Sequence, residues 1–86
     1  MRILKFQAEW CKPCKALSEA LADVDVGAPI EEIDVDKQSD IAQSHGVRSV
    51  PTLAFIVGEG EEEREVARII GNTSVSKIIE TVQQWR

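Results

Sequence analysis

Apolar and polar positions fall into short runs of changing period, separated by breaks that carry glycine or proline. Residues 3–8, Ile-Leu-Lys-Phe-Gln-Ala, read as a short strand with moderate alternation. Leu17, Leu21 and Val24 then recur at i, i+4 and i+7, the spacing of one helix face. Pro13 lies in the first turn of that helix, where its missing N–H costs nothing, and Gly27-Ala28-Pro29 stops it. Residues 30–35 predict a second strand with Ile33 and Val35 on one face; residues 36–44 predict a turn and a short helix closed by Gly46. Pro51-Thr52-Leu53-Ala54-Phe55-Ile56-Val57 is apolar throughout, as suits a sheet strand buried on both faces. Gly58-Glu59-Gly60 turns the chain into an antiparallel return over 65–70. Gly71-Asn72-Thr73-Ser74 supplies a break and an N-cap oxygen. Val75, Ile78, Ile79, Val82 and Trp85 then trace one face of a terminal helix.

The order is βαβα–ββα. A crossover helix between the first two strands makes them parallel, while the last two form a hairpin. The expected fold is an α/β three-layer domain over residues 1–86, a four-stranded mixed sheet with helices on both faces.

Composition narrows the function. The chain has 86 residues and a formal charge of −5, and its basic residues are scattered, so no stripe is expected to track a phosphate backbone. No segment approaches the roughly 18 consecutive apolar residues of a membrane span, and the N-terminal residues run directly into a strand without an apolar leader. Nucleic-acid and membrane partners are therefore not expected, and the reducing cytoplasm is the expected compartment. A close cysteine pair there is more often catalytic or metal-binding than a permanent staple.

Cys11 and Cys14 are the two cysteines, in Trp10-Cys11-Lys12-Pro13-Cys14-Lys15 at the first strand–helix junction. A thiol at a helix N-terminus feels the positive end of the backbone dipole and faces unpaired N–H groups, which favour the thiolate. A second thiol one turn away can resolve the mixed disulfide that the first one forms. A structural zinc needs four ligands, and beyond carboxylates only His45 remains, so no metal site is expected. So short a loop also makes a purely structural disulfide a weak reading. His45, before the helix-ending glycine, reads as an exposed turn residue without a catalytic role. Trp85 reads as core or a partly buried lid, and the run Glu59-Gly60-Glu61-Glu62-Glu63 as a solvated hairpin tip.

The stretch from Phe6 to Lys15 resembles the active-site segment of the thioredoxin family, and Ser44-His45-Gly46-Val47-Arg48-Ser49-Val50-Pro51-Thr52-Leu53 resembles the segment that carries its cis-proline. The similarity covers nearly the whole chain in order and spacing. It departs in having nothing before residue 3, where thioredoxins usually have a further strand and helix; the layout is that of a compact, glutaredoxin-sized member. The resemblance implies Cys11 as nucleophile and Cys14 as resolving thiol. It implies Pro51, after Val50, as the cis-proline that leaves the Val50 backbone free to pair with substrate, with Trp10 as a flat wall beside the thiols and Gly71 as a glycine kept small for docking. Lys12, where thioredoxins usually have glycine, places a cation beside the thiolate and makes the disulfide form more oxidising, in the frame set by Pro13.

Lys5 stands where the family usually buries an aspartate that helps move protons at the resolving thiol, and Glu32 stands where a nearby lysine is usual. Two readings of Lys5 stand side by side: an inverted ion pair, with Lys5 as a buried amine able to take the Cys14 proton, and a side chain that simply snorkels from the strand end. The resemblance implies a protein-disulfide oxidoreductase that needs no bound cofactor, and a monomer is expected. Its expected electron donor is a flavin-containing, NADPH-dependent thioredoxin reductase, and its expected clients are disulfide-cycling enzymes such as ribonucleotide reductase. Two rivals are a glutathione-dependent glutaredoxin and a non-enzymatic peptide-binding subunit. The first is disfavoured because the motif lacks a Pro-Tyr pair and Ile70-Gly71-Asn72 lacks paired glycines; the second, because a pure binder has no need of Cys14.

Overall fold

The structure, a computed structural model, describes residues 1–86. Its elements are β1 (Arg2–Gln7), α1 (Lys12–Leu21), β2 (Ile30–Asp34), α2 (Ser39–Ser44), β3 (Thr52–Val57), β4 (Arg64–Ile70) and α3 (Val75–Trp85), with a short 3-10 turn at Gly60–Glu62. The sheet order is β2-β1-β3-β4. β1 and β2 are parallel, joined through α1, whereas β3 is antiparallel to both β1 and β4. The four-stranded mixed sheet and the βαβα–ββα order agree with the sequence pattern.

Alternation along β1 divides the core in two. Ile3 faces α1 and α3, where it joins Leu17, Leu21, Val26, Leu53, Phe55, Ile78 and Val82. Leu4 and Phe6 face the other way, joining Ile33, Ala42, Ala54 and Ile56, with Ile41 of α2 packed against them. Helices thus cover both faces, as expected for three layers. β3 is buried along its first five residues, the signature of an apolar run placed inside a sheet.

Several boundaries moved for physical reasons. α1 ends at Leu21, so Val24 lies beyond the last turn and is 39% exposed; Val26 takes the core position instead. Ala8, Val35 and Pro51 fall just outside their strands, at the edge where the site forms. Trp85 continues the α3 stripe but is 42% exposed, so it is not a core residue. His45 is half-buried rather than exposed, its ring tilted against Phe6 at 5.6 Å. Its neighbour Glu65 is gripped by Arg68, at 2.6 Å from Nε, and this bond holds the Glu65 carboxyl below its usual range.

At the end of the sheet away from the cysteines, Arg2 on β1 bridges Glu31 on β2 at 2.7 Å and Glu63 before β4 at 2.8 Å. Both outer strands carry charged side chains: Glu31, Glu32 and Asp34 on β2, and Arg64, Glu65 and Arg68 on β4.

Candidate active site

Cys11 is the N-cap of α1, with extended backbone angles, and its sulfur accepts a hydrogen bond from the Cys14 N–H at 3.1 Å. The local sequence builds this arrangement. Pro13 cannot donate, so its place in the first turn leaves no extra orphan, and the Cys14 N–H turns back onto the cap. The two cysteines form a disulfide with Cα atoms 5.2 Å apart. Both residues are buried, at 4% and 2% exposure, so accessibility does not distinguish them. Position does: Cys11 alone caps the positive end of a ten-residue helix, its sulfur facing a backbone donor.

Ala8 forms the floor of this cluster with the two cysteines, and Val35 and Val50 pack against it. The Val50–Pro51 peptide is cis. The carbonyl of Pro51 accepts from the Gly71 N–H at 2.8 Å, which ties the end of β4 to the same loop. Gly71 has φ +85, unfavourable for any side chain, and a Cβ there would meet no protein atom within 4 Å. The space above it is open. Trp10 stands 69% exposed, its Nε1 donating to Asp36 at 2.8 Å. Together with Val35, Val47, Arg48, Ser49 and Val50 it lines a cleft of about 130 Å3. Trp10 is therefore a wall, not a core residue. On the other side a second cleft, of about 390 Å3, is lined by Cys14 together with Gln7, Lys15 and Ser18.

Lys5 is 1% exposed beneath α1. Its ammonium donates to Gln7 Oε1, to Ser18 Oγ at 2.5 Å and to Glu32 Oε2 at 3.4 Å. Glu32 is its register partner across the parallel pair, so the two opposite charges meet. They do not form a buried pair, however: the Glu32 side chain is 57% exposed against 2% for Lys5. Lys5 also does not line the cleft that holds Cys14; Gln7 and Ser18 stand there, while Lys5 lines the neighbouring groove with Ser18 and Glu32.

The structure thus gathers Cys11, Cys14, Val50 and Pro51 at one end of the sheet, with Trp10 and Gly71 on its open side and Lys12 and Pro13 on the exposed first turn of α1. Lys5 and Glu32 lie behind. Sequence reasoning missed Gln7, Ser18 and Arg48. The first two left a signal, since Gln7 follows Lys5 by two in a strand and Ser18 follows Cys14 by four in a helix, each sharing a face with its predecessor. Arg48 lies on a loop, where no period marks it.

This end-of-sheet dithiol site is what a comparison must account for, and the family model for thioredoxin matches residues 1–84. The chain belongs to the thioredoxin family. It is 35% identical over 86 residues to thioredoxin of Mycoplasma pneumoniae, covering 95% of this chain and 79% of that one. It is 39% identical over 72 residues to thioredoxin-2 of Saccharomyces cerevisiae, covering 80% of this chain and 65% of that one. Among solved structures, thioredoxin of Trichomonas vaginalis superposes with a TM-score of 0.83 at 31% identity, covering 99% of this chain and 78% of that one. Thioredoxins are thiol–disulfide oxidoreductases, and the Cys11–Cys14 disulfide is the redox pair that this chemistry requires. No helix is long and apolar enough to cross a membrane.

Proposed function

We propose that the chain reduces disulfides of client proteins in the cytoplasm, as one domain working through Cys11-Lys12-Pro13-Cys14. The observation that carries this reading is the Cys14 N–H donated to Cys11 Sγ at the start of α1. In the reduced protein the Cys11 thiolate attacks one sulfur of a client disulfide, and the other client sulfur leaves as a thiolate. Cys14, deprotonated, then attacks Cys11 in the mixed disulfide; the second client thiolate departs and the Cys11–Cys14 bond forms. Two electrons have passed to the client. An NADPH-linked thioredoxin reductase returns them, with ribonucleotide reductase among the client types the family serves.

The remaining residues take supporting roles. Lys12 adds a cation next to the thiolate, and Pro13 fixes the first turn around it. Trp10 walls the cleft in which the client segment lies, and the Val50 backbone beside Pro51 offers it hydrogen bonds. Gly71 leaves that side open. Lys5, steadied by Glu32, acts toward Cys14 through Gln7 and Ser18, which accept from its ammonium and line the Cys14 cleft.

Insulin disulfide reduction coupled to NADPH and thioredoxin reductase tests the reading. Turnover is expected there, with loss in Cys11→Ser and accumulation of a mixed disulfide in Cys14→Ser. Turnover only with glutathione and glutathione reductase replaces it with a glutaredoxin role. No turnover in either system leaves a peptide-binding subunit. For Lys5 and Glu32, thiolate absorbance is followed against pH in Lys5→Met and Glu32→Gln; unchanged cysteine titrations in both remove them from proton transfer.

A further inference from the structure

Lys5 reaches the surroundings of the resolving cysteine through two neutral side chains, and hydrogen-bond chemistry fixes how those two point. An ammonium donates three N–H bonds and accepts none. Those of Lys5 go to Gln7 Oε1, Ser18 Oγ and Glu32 Oε2. Because a lysine only donates, the Gln7 carbonyl oxygen must face it, and the Gln7 NH2 group points away. The Ser18 oxygen likewise accepts from Lys5, so its own hydroxyl proton is turned from the ammonium. Ser18 does not return that proton to the carbonyl four residues back, as Thr81 does to Lys77, and the Gln7 NH2 donates to no protein atom.

Both free donors border the cleft of about 390 Å3 that holds Cys14. Ser18 follows Cys14 by four residues in α1, and neighbours at that spacing have Cβ atoms about 5–6 Å apart, a span that one water bridges. Net charge in the cleft does not favour an anion, since Glu9, Glu19 and Asp34 stand against Lys15 alone. Glu9 is tied to Lys37, Asp34 to the backbone N–H groups of Asp36 and Lys37, and behind the cleft Lys5 is answered by Glu32. The Cys14 N–H is committed to the Cys11 sulfur. A negative sulfur at Cys14 therefore relies on oriented neutral donors.

Building on the exchange reading above, we propose that Ser18 and Gln7 hold the negative charge of Cys14 in the resolving step, with Lys5 as the positioning residue that keeps their free donors turned toward it. Before the attack the Cys14 proton passes to water in the cleft. The thiolate then attacks Cys11 Sγ, the bond from Cys11 to the client sulfur breaks, and the client sulfur leaves with the electron pair. Recharging runs the other way: a reductant thiolate takes Cys11, and Cys14 departs with the pair toward the same two donors. In this role Lys5 orients its neighbours and exchanges no proton.

The test mixes the reduced full-length protein with an aromatic disulfide that releases a coloured thiolate, in a stopped-flow instrument across pH. The first release reports attack by Cys11 and the second reports attack by Cys14. One lost donor bond changes the thiolate population about 2- to 13-fold, so the pH midpoint of the second release should rise by roughly 0.4–1.1 in Ser18→Ala. Nucleophilicity climbs as a thiol becomes more basic, so this release should slow only about 2- to 4-fold below the midpoint and be no slower at the alkaline plateau. Ser18→Thr, which keeps the hydroxyl, should restore the profile. Lys5→Met should shift it in the same direction as Ser18→Ala, and combining the two should add less than Ser18→Ala does alone. An unchanged midpoint in Ser18→Ala overturns the proposal, as does equal slowing at every pH or a fully additive shift in the double variant. In each of these cases two coloured thiolates per protein still appear, and the exchange reading stands. An unmutated protein that releases only one overturns that reading and this proposal with it.

Discussion

Lys5 and Glu32 form one ion pair, yet removing one partner should have the opposite effect on stability from removing the other. The reason is their unequal burial: 2% exposure for the lysine side chain and 57% for the glutamate. In Lys5→Met an apolar chain of similar volume replaces a buried ammonium, and the desolvation cost of that charge disappears. Replacements of buried charges of this kind run from neutral to stabilising by about 1–4 kcal/mol. Against this stand the lost bonds to Gln7 and Ser18, each worth about 1 kcal/mol, but both side chains line open clefts where water can replace the lysine. Glu32 stays hydrated. The net expectation is no loss, up to a gain of about 2 kcal/mol.

Glu32→Gln does the reverse. It leaves the buried ammonium in place and removes its one carboxylate partner. Coulomb's law at 3.4 Å and an effective dielectric of about 20 gives roughly 5 kcal/mol as a ceiling. The exposure of Glu32 cuts this heavily, to a loss of about 1 kcal/mol. Urea unfolding of the oxidised proteins at neutral pH separates the two. With a slope of about 1 kcal/mol per molar, the midpoints should lie at least about 1 M apart, Lys5→Met above Glu32→Gln. A Lys5→Met protein destabilised by more than about 2 kcal/mol would refute the reasoning, because the ammonium would then be a net stabiliser.

Three further outcomes are expected. Glu65→Gln should cost about 1 kcal/mol at neutral pH. Arg68 holds the Glu65 carboxyl below its usual range, so its contribution is complete above the ordinary carboxylate pKa and fades as pH falls through the depressed value; thermal unfolding of both proteins across the acid range should show the gap closing. Gly58→Ala should lose about 2–3 kcal/mol, since φ is +88 and the added Cβ would lie 2.5 Å from the Glu62 carbonyl oxygen, whereas Gly71→Ala, strained in φ but free of contacts, should lose about 1–2; chemical denaturation of both checks the order. Ile78→Ala, at 0% exposure in the α1–α3 layer, should cost about 2–5 kcal/mol by the same measurement, and Trp85→Ala much less.

The elements that showed in the sequence were those with a strong period or an unbroken apolar run. β3 is Leu53 to Val57 uninterrupted, and α3 announces itself through Ile78 and Val82; both lie where the pattern puts them. Val24 was misread because its spacing from Leu17 and Leu21 is helical whether or not the helix reaches it, and where a helix ends is settled by packing, which here favours Val26. The cysteine pair was legible because its chemistry is local, contained in one turn. Lys5 was not legible in the same way: a lysine in a strand signals charge, but only the helix laid over β1 decides that it is sealed beneath Ser18 rather than reaching solvent. Arg48 sits on a loop, and its place beside Trp10 depends on a contact between distant parts of the chain.

The order β2-β1-β3-β4 has one more consequence. Thr52–Val57 is the kind of short, apolar, uncharged stretch that stacks into fibrils when its backbone is free. Here it is sealed between β1 and β4, and the strands left at the two rims bear charged side chains whose water would have to be stripped before another copy could stack there. This hexapeptide is therefore protected by its neighbours, and only unfolding exposes it.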